Sequence, residues 1–246
     1  MIFFIGGLLS CKQSANDKSL LLYCAAGMKP PIEVLAREYE KKYGIQISIQ
    51  YGGSGTLLSS IRITNTGDIF LAADESYIHE ASKLNLIEEA QPLAYITPVI
   101  AVKKSNPKNI NNIQDLLRED ISFALANPGA ASIGRHTKNI LEGSGQWAAI
   151  REAVTVLKPT VNDVANDIRL GTVDAGIIWD ATAMQYESIE IIESEMLKKH
   201  PKQVTIGVLS TSEQPTNASD FLKYLSSHAG SVVFKSMGYK LHRSEE

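Results

Sequence analysis

Short apolar runs alternate with helical patterns along almost the whole chain, and this alternation constrains the fold more than any other feature. Residues 20–24 form a continuous apolar run, as expected of a strand covered on both faces. Ile32, Leu35, Ala36, Tyr39 and Tyr43 follow at helical spacing. Pro30-Pro31 suit the first turn of that helix, and Gly44 suits its stop. Ile45, Ile47, Ile49 and Tyr51 then alternate with polar residues, as a strand does. The succession continues with strands over 68–72, 121–126, 154–157, 175–179 and 203–209. Helical patterns cover 75–84, 113–117, 134–141, 146–153, 161–170 and 181–186, and two more, 217–226 and 229–237, close the chain. Alternation of this kind specifies an α/β architecture with mostly parallel strands. The apolar stretch 93–102 is interrupted by Thr97-Pro98. Proline is foreign to a central strand, so a bend there suits a chain leaving one domain for another.

Several function classes are disfavoured at once. The formal net charge is −3, from 24 basic and 27 acidic residues, which argues against a broadly basic nucleic-acid-binding surface. No apolar run is long enough to span a membrane. Two cysteines build neither a disulfide framework nor a four-thiolate zinc site. His79, His136, His200, His228 and His242 are scattered, with no metal-ligand spacing. Gly52-Gly53-Ser54-Gly55-Thr56 has threonine where a nucleophile elbow needs its last glycine, and no Gly-Lys-Ser/Thr phosphate loop occurs. Asp68 and Asp74 flank a strand end, where caps and turns are their expected work. The expectation is a protein that is not an enzyme and needs no cofactor.

The N-terminus looks like a bacterial lipoprotein signal. Apolar and small residues from Ile2 to Leu9 run into Leu9-Ser10-Cys11, and the polar stretch 12–19 fits a tether. Lipidation is therefore expected at Cys11. Cys24 ends an apolar strand and is expected to be a packed, inert thiol.

In open α/β sheets ligands sit at the carboxyl ends of strands. The turns after Cys24, Tyr51, Ala126, Leu157 and Trp179 are the places to look. Ala25-Ala26-Gly27-Met28 and Gly52-Gly53-Ser54-Gly55-Thr56 are small-residue turns leading into helices. Each leaves backbone N–H groups free at a helix N-terminus, a ready anion site, and Ser54 adds a hydroxyl donor.

These turns belong to a larger pattern. Residues 23–28 (YCAAGM), 51–57 (YGGSGTL), 67–74 (GDIFLAAD), 127–134 (NPGAASIG), 162–165 (NDVA) and 176–180 (GIIWD) resemble, in order and spacing, the periplasmic molybdate/tungstate-binding proteins of ABC importers. The resemblance covers about 19–239. It implies a two-lobed periplasmic solute-binding fold, each lobe a mostly parallel sheet flanked by helices, with the ligand in the interlobe cleft. The lobes would be 18–97 with 206–246, and 98–205, hinged near Thr97-Pro98 and Thr205-Ile206, with 1–17 as signal and tether. It implies capture of a tetrahedral oxyanion by hydroxyls and backbone N–H groups. It also implies an ABC permease partner, a lipid anchor to the membrane and a monomer.

Carried over position by position, the site falls on Gly27, Ser54, Ile133, Val164 and Trp179. Gly27 lacks the hydroxyl of the family's serine, so its own N–H or that of Met28 would serve. Trp179 stands where the family has a tyrosine. Ser132, beside Ile133, is a candidate to restore a lost hydroxyl, and Asp163 and Asp180 are candidates to meet the metal centre of the anion. Another oxyanion, a ferric complex or an organic anion in the same cleft, a sensing subunit and an enzyme remain alternatives.

Overall fold

The computed structural model describes residues 19–241. The predicted signal and tether, with Cys11, lie outside the described residues. Ten strands form two five-stranded sheets. The strands are β1 (Ser19–Ala25), β2 (Gln46–Gly52), β3 (Ile69–Ala72), β4 (Ile87–Ile96), β5 (Pro98–Lys103), β6 (Phe123–Ala126), β7 (Val156–Lys158), β8 (Ala175–Trp179), β9 (Ile189–Ile192) and β10 (Lys202–Leu209). The helices are α1 (Lys29–Tyr43), α2 (Ser54–Thr64), α3 (Glu75–Lys83), α4 (Ser132–Gly143), α5 (Trp147–Ala153), α6 (Val161–Leu170), α7 (Asp180–Ala183), α8 (Glu195–Lys198), α9 (Pro215–Ser226) and α10 (His228–Ser236).

The first sheet runs β2-β1-β3-β10-β4 and the second β7-β6-β8-β5-β9. In each, three strands pair in parallel, and one reversed strand joins them to the edge: β10 in the first sheet, β5 in the second. Each reversed strand enters its sheet directly after the chain has crossed from the other lobe. The expectation of mostly parallel strands therefore holds for direction, with two of the four pairings in each sheet antiparallel. The chain belongs to the mixed α/β class, in two lobes.

Thr97 alone separates β4 from β5, so the strand does change sheets at Thr97-Pro98. The second crossing differs from the sequence-based boundary at 205/206. Lys202 already pairs with Ile96, and Thr205 with Ala72 and Pro92, so 202–205 join the first sheet and the chain returns at His200-Pro201. The polar start Lys202-Gln203 hides this in the sequence; main-chain pairing with β4 sets it, with Val204 and Thr205 buried behind it.

Cores follow from the apolar pattern. Leu20, Leu22 and Cys24 of β1 are fully buried, as are Ile32 and Leu35 of α1, and α1 ends on Gly44 in the left-handed conformation. Each buried Leu or Ile contributes about 1.5–3 kcal/mol. The Cys24 thiol is wholly buried, and desolvation, then Glu33, pushes its pKa well up, so the inert reading fits.

Candidate functional site

Helices from both lobes start at one place. In the first lobe α2 begins with Ser54, behind Gly53 at its N-cap. Ser54 is buried, and its hydroxyl oxygen accepts the Ala73 N–H at 3.2 Å, which leaves the Ser54 O–H free to donate elsewhere. The short 3-10 turn Ala26–Met28 leads into α1 and carries Gly27. In the second lobe α4 begins with Ser132 after Ala131. There α6 begins with Val161, capped by Thr160. That cap is closed on itself. The Thr160 hydroxyl accepts the Asp163 N–H at 3.2 Å and donates to the Asp163 carboxylate at 2.7 Å. The first N–H groups of each helix point out of its N-terminus without intrahelical partners, and the helix dipole adds positive potential there.

These starts meet around a small cavity of about 10 Å³, room for about one water with the lobes as they stand. It is lined from the first lobe by Gly27, Gly53 and Ser54, and from the second by Ser132, Ile133, Val161 and Trp179 among others. None of its lining residues carries a charge. A wall of neutral donors suits an anion, whose own charge then needs no counter-ion.

Five of the seven residues singled out from the sequence line this cavity: Gly27, Ser54, Ser132, Ile133 and Trp179. Two do not. The Met28 side chain is fully buried in the hydrophobic core. Val164 is also fully buried, and its N–H returns to the Thr160 carbonyl at 3.4 Å, so it is spent inside the helix. The exposed start of α6 is Val161, three residues earlier. Thr160-Val161-Asn162-Asp163 is a capping pattern that marks this start in the sequence.

The two carboxylates considered for the ligand have structural work. Asp163 completes the α6 cap. Asp180 accepts the N–H groups of Thr97 at 2.9 Å and Ala181 at 2.8 Å, and meets Lys240 at 3.2 Å. It thus ties the crossing at Thr97 to the chain's C-terminal segment. Asp74 caps α3 through the Ser76 N–H, and Asp68 accepts the Leu21 N–H, in line with the cap-and-turn reading. Among the described residues no cluster of three His, Cys, Asp or Glu could hold a metal ion.

Trp179 is buried, with its indole stacked on the His136 ring at 5.9 Å between centroids. His136 in turn is hydrogen-bonded through Nε2 to the His200 carbonyl at 2.7 Å.

The lobes touch around the cavity. Gly55 and Thr56 of α2 donate their N–H groups to the Ala130 carbonyl at 2.9 and 3.2 Å. Arg135 of α4 reaches Ser76 at 2.7 Å and Glu80 at 3.2 Å on α3, and lies over the Tyr77 ring at 3.4 Å.

Two mixed sheets joined by two crossings, with a neutral cavity between them, define a bilobal binding protein. Residues 20–240 match the family model described as bacterial extracellular solute-binding protein, and the chain belongs to that family. A Haemophilus influenzae relative named as a putative binding protein is 27% identical over 92% of each chain. The molybdate-binding protein ModA of Mycobacterium bovis is 21% identical, over 96% of this chain and 93% of its own. Among solved structures, the periplasmic molybdate-binding protein of Azotobacter vinelandii shares the fold, with a TM-score of 0.77 over 91% of this chain and all of its own, at 18% identity.

Proposed function

We propose that this protein captures a tetrahedral oxyanion, molybdate or tungstate, outside the cytoplasmic membrane and delivers it to an ABC permease. The observation that carries the reading is the uncharged interlobe cavity walled by helix starts from both lobes. An oxyanion stripped of water needs a full set of donors. Each charge-assisted hydrogen bond contributes about 1.5–3 kcal/mol, and each helix N-terminus up to about 2 kcal/mol in a partly buried setting. Ser54, Ser132 and the N–H groups opening α4 and α6 supply such donors, while on α2 the N–H groups of Gly55 and Thr56 are taken by the Ala130 carbonyl. The molybdate-binding relatives support the choice of ion. The lobes close on the ligand by hinge bending at the two crossings. Lipidation of Cys11 tethers the monomer to the membrane and raises its concentration near the permease. No cofactor and no catalytic step enter this reading.

A second reading has one observation in its favour. A larger open groove of about 560 Å³ borders the cavity, sharing Ala26, Gly52 and Thr160 with it and lined by Lys29, Tyr51, Asn166 and Gln185 together with the carboxylates of Glu33 and Asp163. An oxyanion bearing a small polar organic group would occupy both.

The test is thermal unfolding of the purified protein with molybdate, tungstate, sulfate, phosphate and small phosphate monoesters at one concentration. A ligand that binds only the folded state raises the midpoint. A shift with molybdate or tungstate and none with sulfate supports the first reading. A shift with monoesters alone supports the second. No shift with any of them overturns both.

A further inference from the structure

Pro30-Pro31 open α1, and they leave one carbonyl of the cavity wall without a helical partner. In a continuing helix the Gly27 carbonyl would accept the N–H of residue 30 or 31, and neither proline has one. Gly27 is buried and lines the cavity, so this free acceptor sits in the turn that borders it. Tyr239, from the other end of the chain, takes it: the phenol O–H donates to the Gly27 carbonyl. Tyr239 is buried and is not among the residues lining the cavity, so it draws the carbonyl to the core side of the turn. Its own place is fixed. Gly238, at φ +88°, turns the chain back after α10, and the Tyr239 N–H donates to the Phe234 carbonyl at 3.1 Å. The Tyr239 and Phe234 rings meet edge to face at 5.4 Å. Burial, with Cys24 and Asp180 adding to it, pushes the phenol's pKa up against the opposing hydrogen bond from Gln185, so the hydroxyl keeps its proton.

The same hydroxyl is reached from the second lobe. Gln185, in the turn after α7, donates through Nε2 to the Tyr239 oxygen at 3.4 Å. The C-terminal segment meets α7 and its turn twice more. Lys240 pairs with Asp180 at 3.2 Å, and a Cβ on Gly238 would lie 2.7 Å from Met184 Sδ. Lys240 also pairs main chain to main chain with Tyr95 of β4, which fastens the segment to the first lobe. We propose that Tyr239 is a positioning residue of the anion site. It supplies the hydrogen bond that the proline pair withholds, sets the Ala26–Met28 turn, and through Gln185 ties that setting to the closed position of the second lobe. Its one proton goes to Gly27, so its part in binding is indirect. The Gln185 contact crosses between lobes, so it forms on closure and anion release must break it. The proposal rests on the reading of the cavity as an anion site.

The experiment compares the wild-type protein, Tyr239→Phe, Gln185→Leu and the double variant. Each is titrated with sodium molybdate, sodium tungstate, sodium sulfate and sodium phosphate by calorimetry, well below its unfolding midpoint. The thermal midpoint of each is also recorded without anion. Gln185→Leu is expected to weaken anion binding about 2- to 10-fold, as for one neutral hydrogen bond, with an anion-free midpoint within about 1 °C of wild type. Tyr239→Phe is expected to weaken binding at least as much. It should also lower the anion-free midpoint by about 2–4 °C or more, because the buried Gly27 carbonyl loses its partner. The double variant is expected to bind no more weakly than Tyr239→Phe, since both changes break one link. An unchanged anion-free midpoint in Tyr239→Phe removes the hold on the turn and overturns the proposal. With a wild type that binds, wild-type affinity in Gln185→Leu or additive losses in the double variant show a tyrosine that supports the fold without linking the lobes, and overturn the proposal alone. A wild type that binds none of the four anions overturns the anion reading, and the proposal with it.

Discussion

Gly55 in the first lobe donates its backbone N–H to the carbonyl of Ala130 in the second, at 2.9 Å. The contact joins the α2 start to the loop before α4, at the rim of the cavity. It needs bare backbone on one side. A Cβ on Gly55 would lie 2.9 Å from the Gly129 carbonyl oxygen, and one on Gly53 would lie 2.3 Å from that of Ala130. The glycines of the second turn thus admit the opposite lobe itself, and the Gly55 N–H is spent on that contact.

Gly53→Ala is expected to hold the lobes apart. Gly53 has φ −71° and ψ 144°, which alanine adopts without strain, so the first lobe folds normally. The new methyl meets backbone, not a side chain that can turn away, so the second lobe must shift. Anion affinity should fall at least about tenfold, or about 1.4 kcal/mol. Small-angle scattering in the presence of the anion should show a larger radius of gyration than wild type. The anion-free thermal midpoint should barely move. Wild-type affinity in this variant would refute closure onto Ala130.

The site was legible in the sequence wherever its chemistry is local. Ser54 and Ser132 sit at helix starts announced by small residues, and Thr97-Pro98 marks a change of sheet because proline disrupts a strand interior. Val164, the position the resemblance assigns, lies one turn inside α6, whose exposed start is set by the Thr160–Asp163 cap. The strand β9 went unread because Glu190 breaks the apolar run of Ile189, Ile191 and Ile192, and all four residues are only partly buried.

Ser54→Ala separates two roles of one hydroxyl. The Ser54 oxygen accepts the Ala73 N–H in the buried first lobe, and its proton is free for the anion. Removing it leaves the Ala73 N–H unpaired, which should cost about 1–3 kcal/mol of stability. It should also remove one donor and weaken anion binding about 10- to 100-fold. Denaturant unfolding without anion measures the first effect, and calorimetric titration the second.

Arg135 holds the lobes together outside the cavity. Its guanidinium meets Glu80 and Ser76 and covers the Tyr77 ring. The ion pair with Glu80 is partly exposed, so its worth to stability is small. Its effect belongs to closure, because the contacts cross between lobes. Arg135→Ala should speed anion release several-fold with little change in association, as most affinity changes in related complexes lie in dissociation. Stopped-flow release measurements check this. An unaltered release rate would show that the contact does not steady the closed form.

His136 gives the fold a pH dependence of definite sign. Desolvation lowers its pKa below the ordinary value of about 6.5, with Lys202 and His200 adding to the effect, while the His200 carbonyl and Asp74 oppose it. The unfolded chain therefore protonates this ring first as pH falls. Its contribution to stability is complete above about pH 6.5 and is lost as pH drops from there toward the lowered folded value. The thermal midpoint should be flat above pH 7 and decline below about 6.5. His136→Gln keeps an amide N–H for the His200 carbonyl but has no proton to gain in this range. The difference in midpoint between this variant and wild type should therefore change with pH below 6.5, in the variant's favour. A constant offset across the whole range would remove His136 as the cause. Because the ring is stacked on Trp179, the calorimetric affinity for the anion, measured over the same pH range, shows whether protonation also reaches the cavity wall.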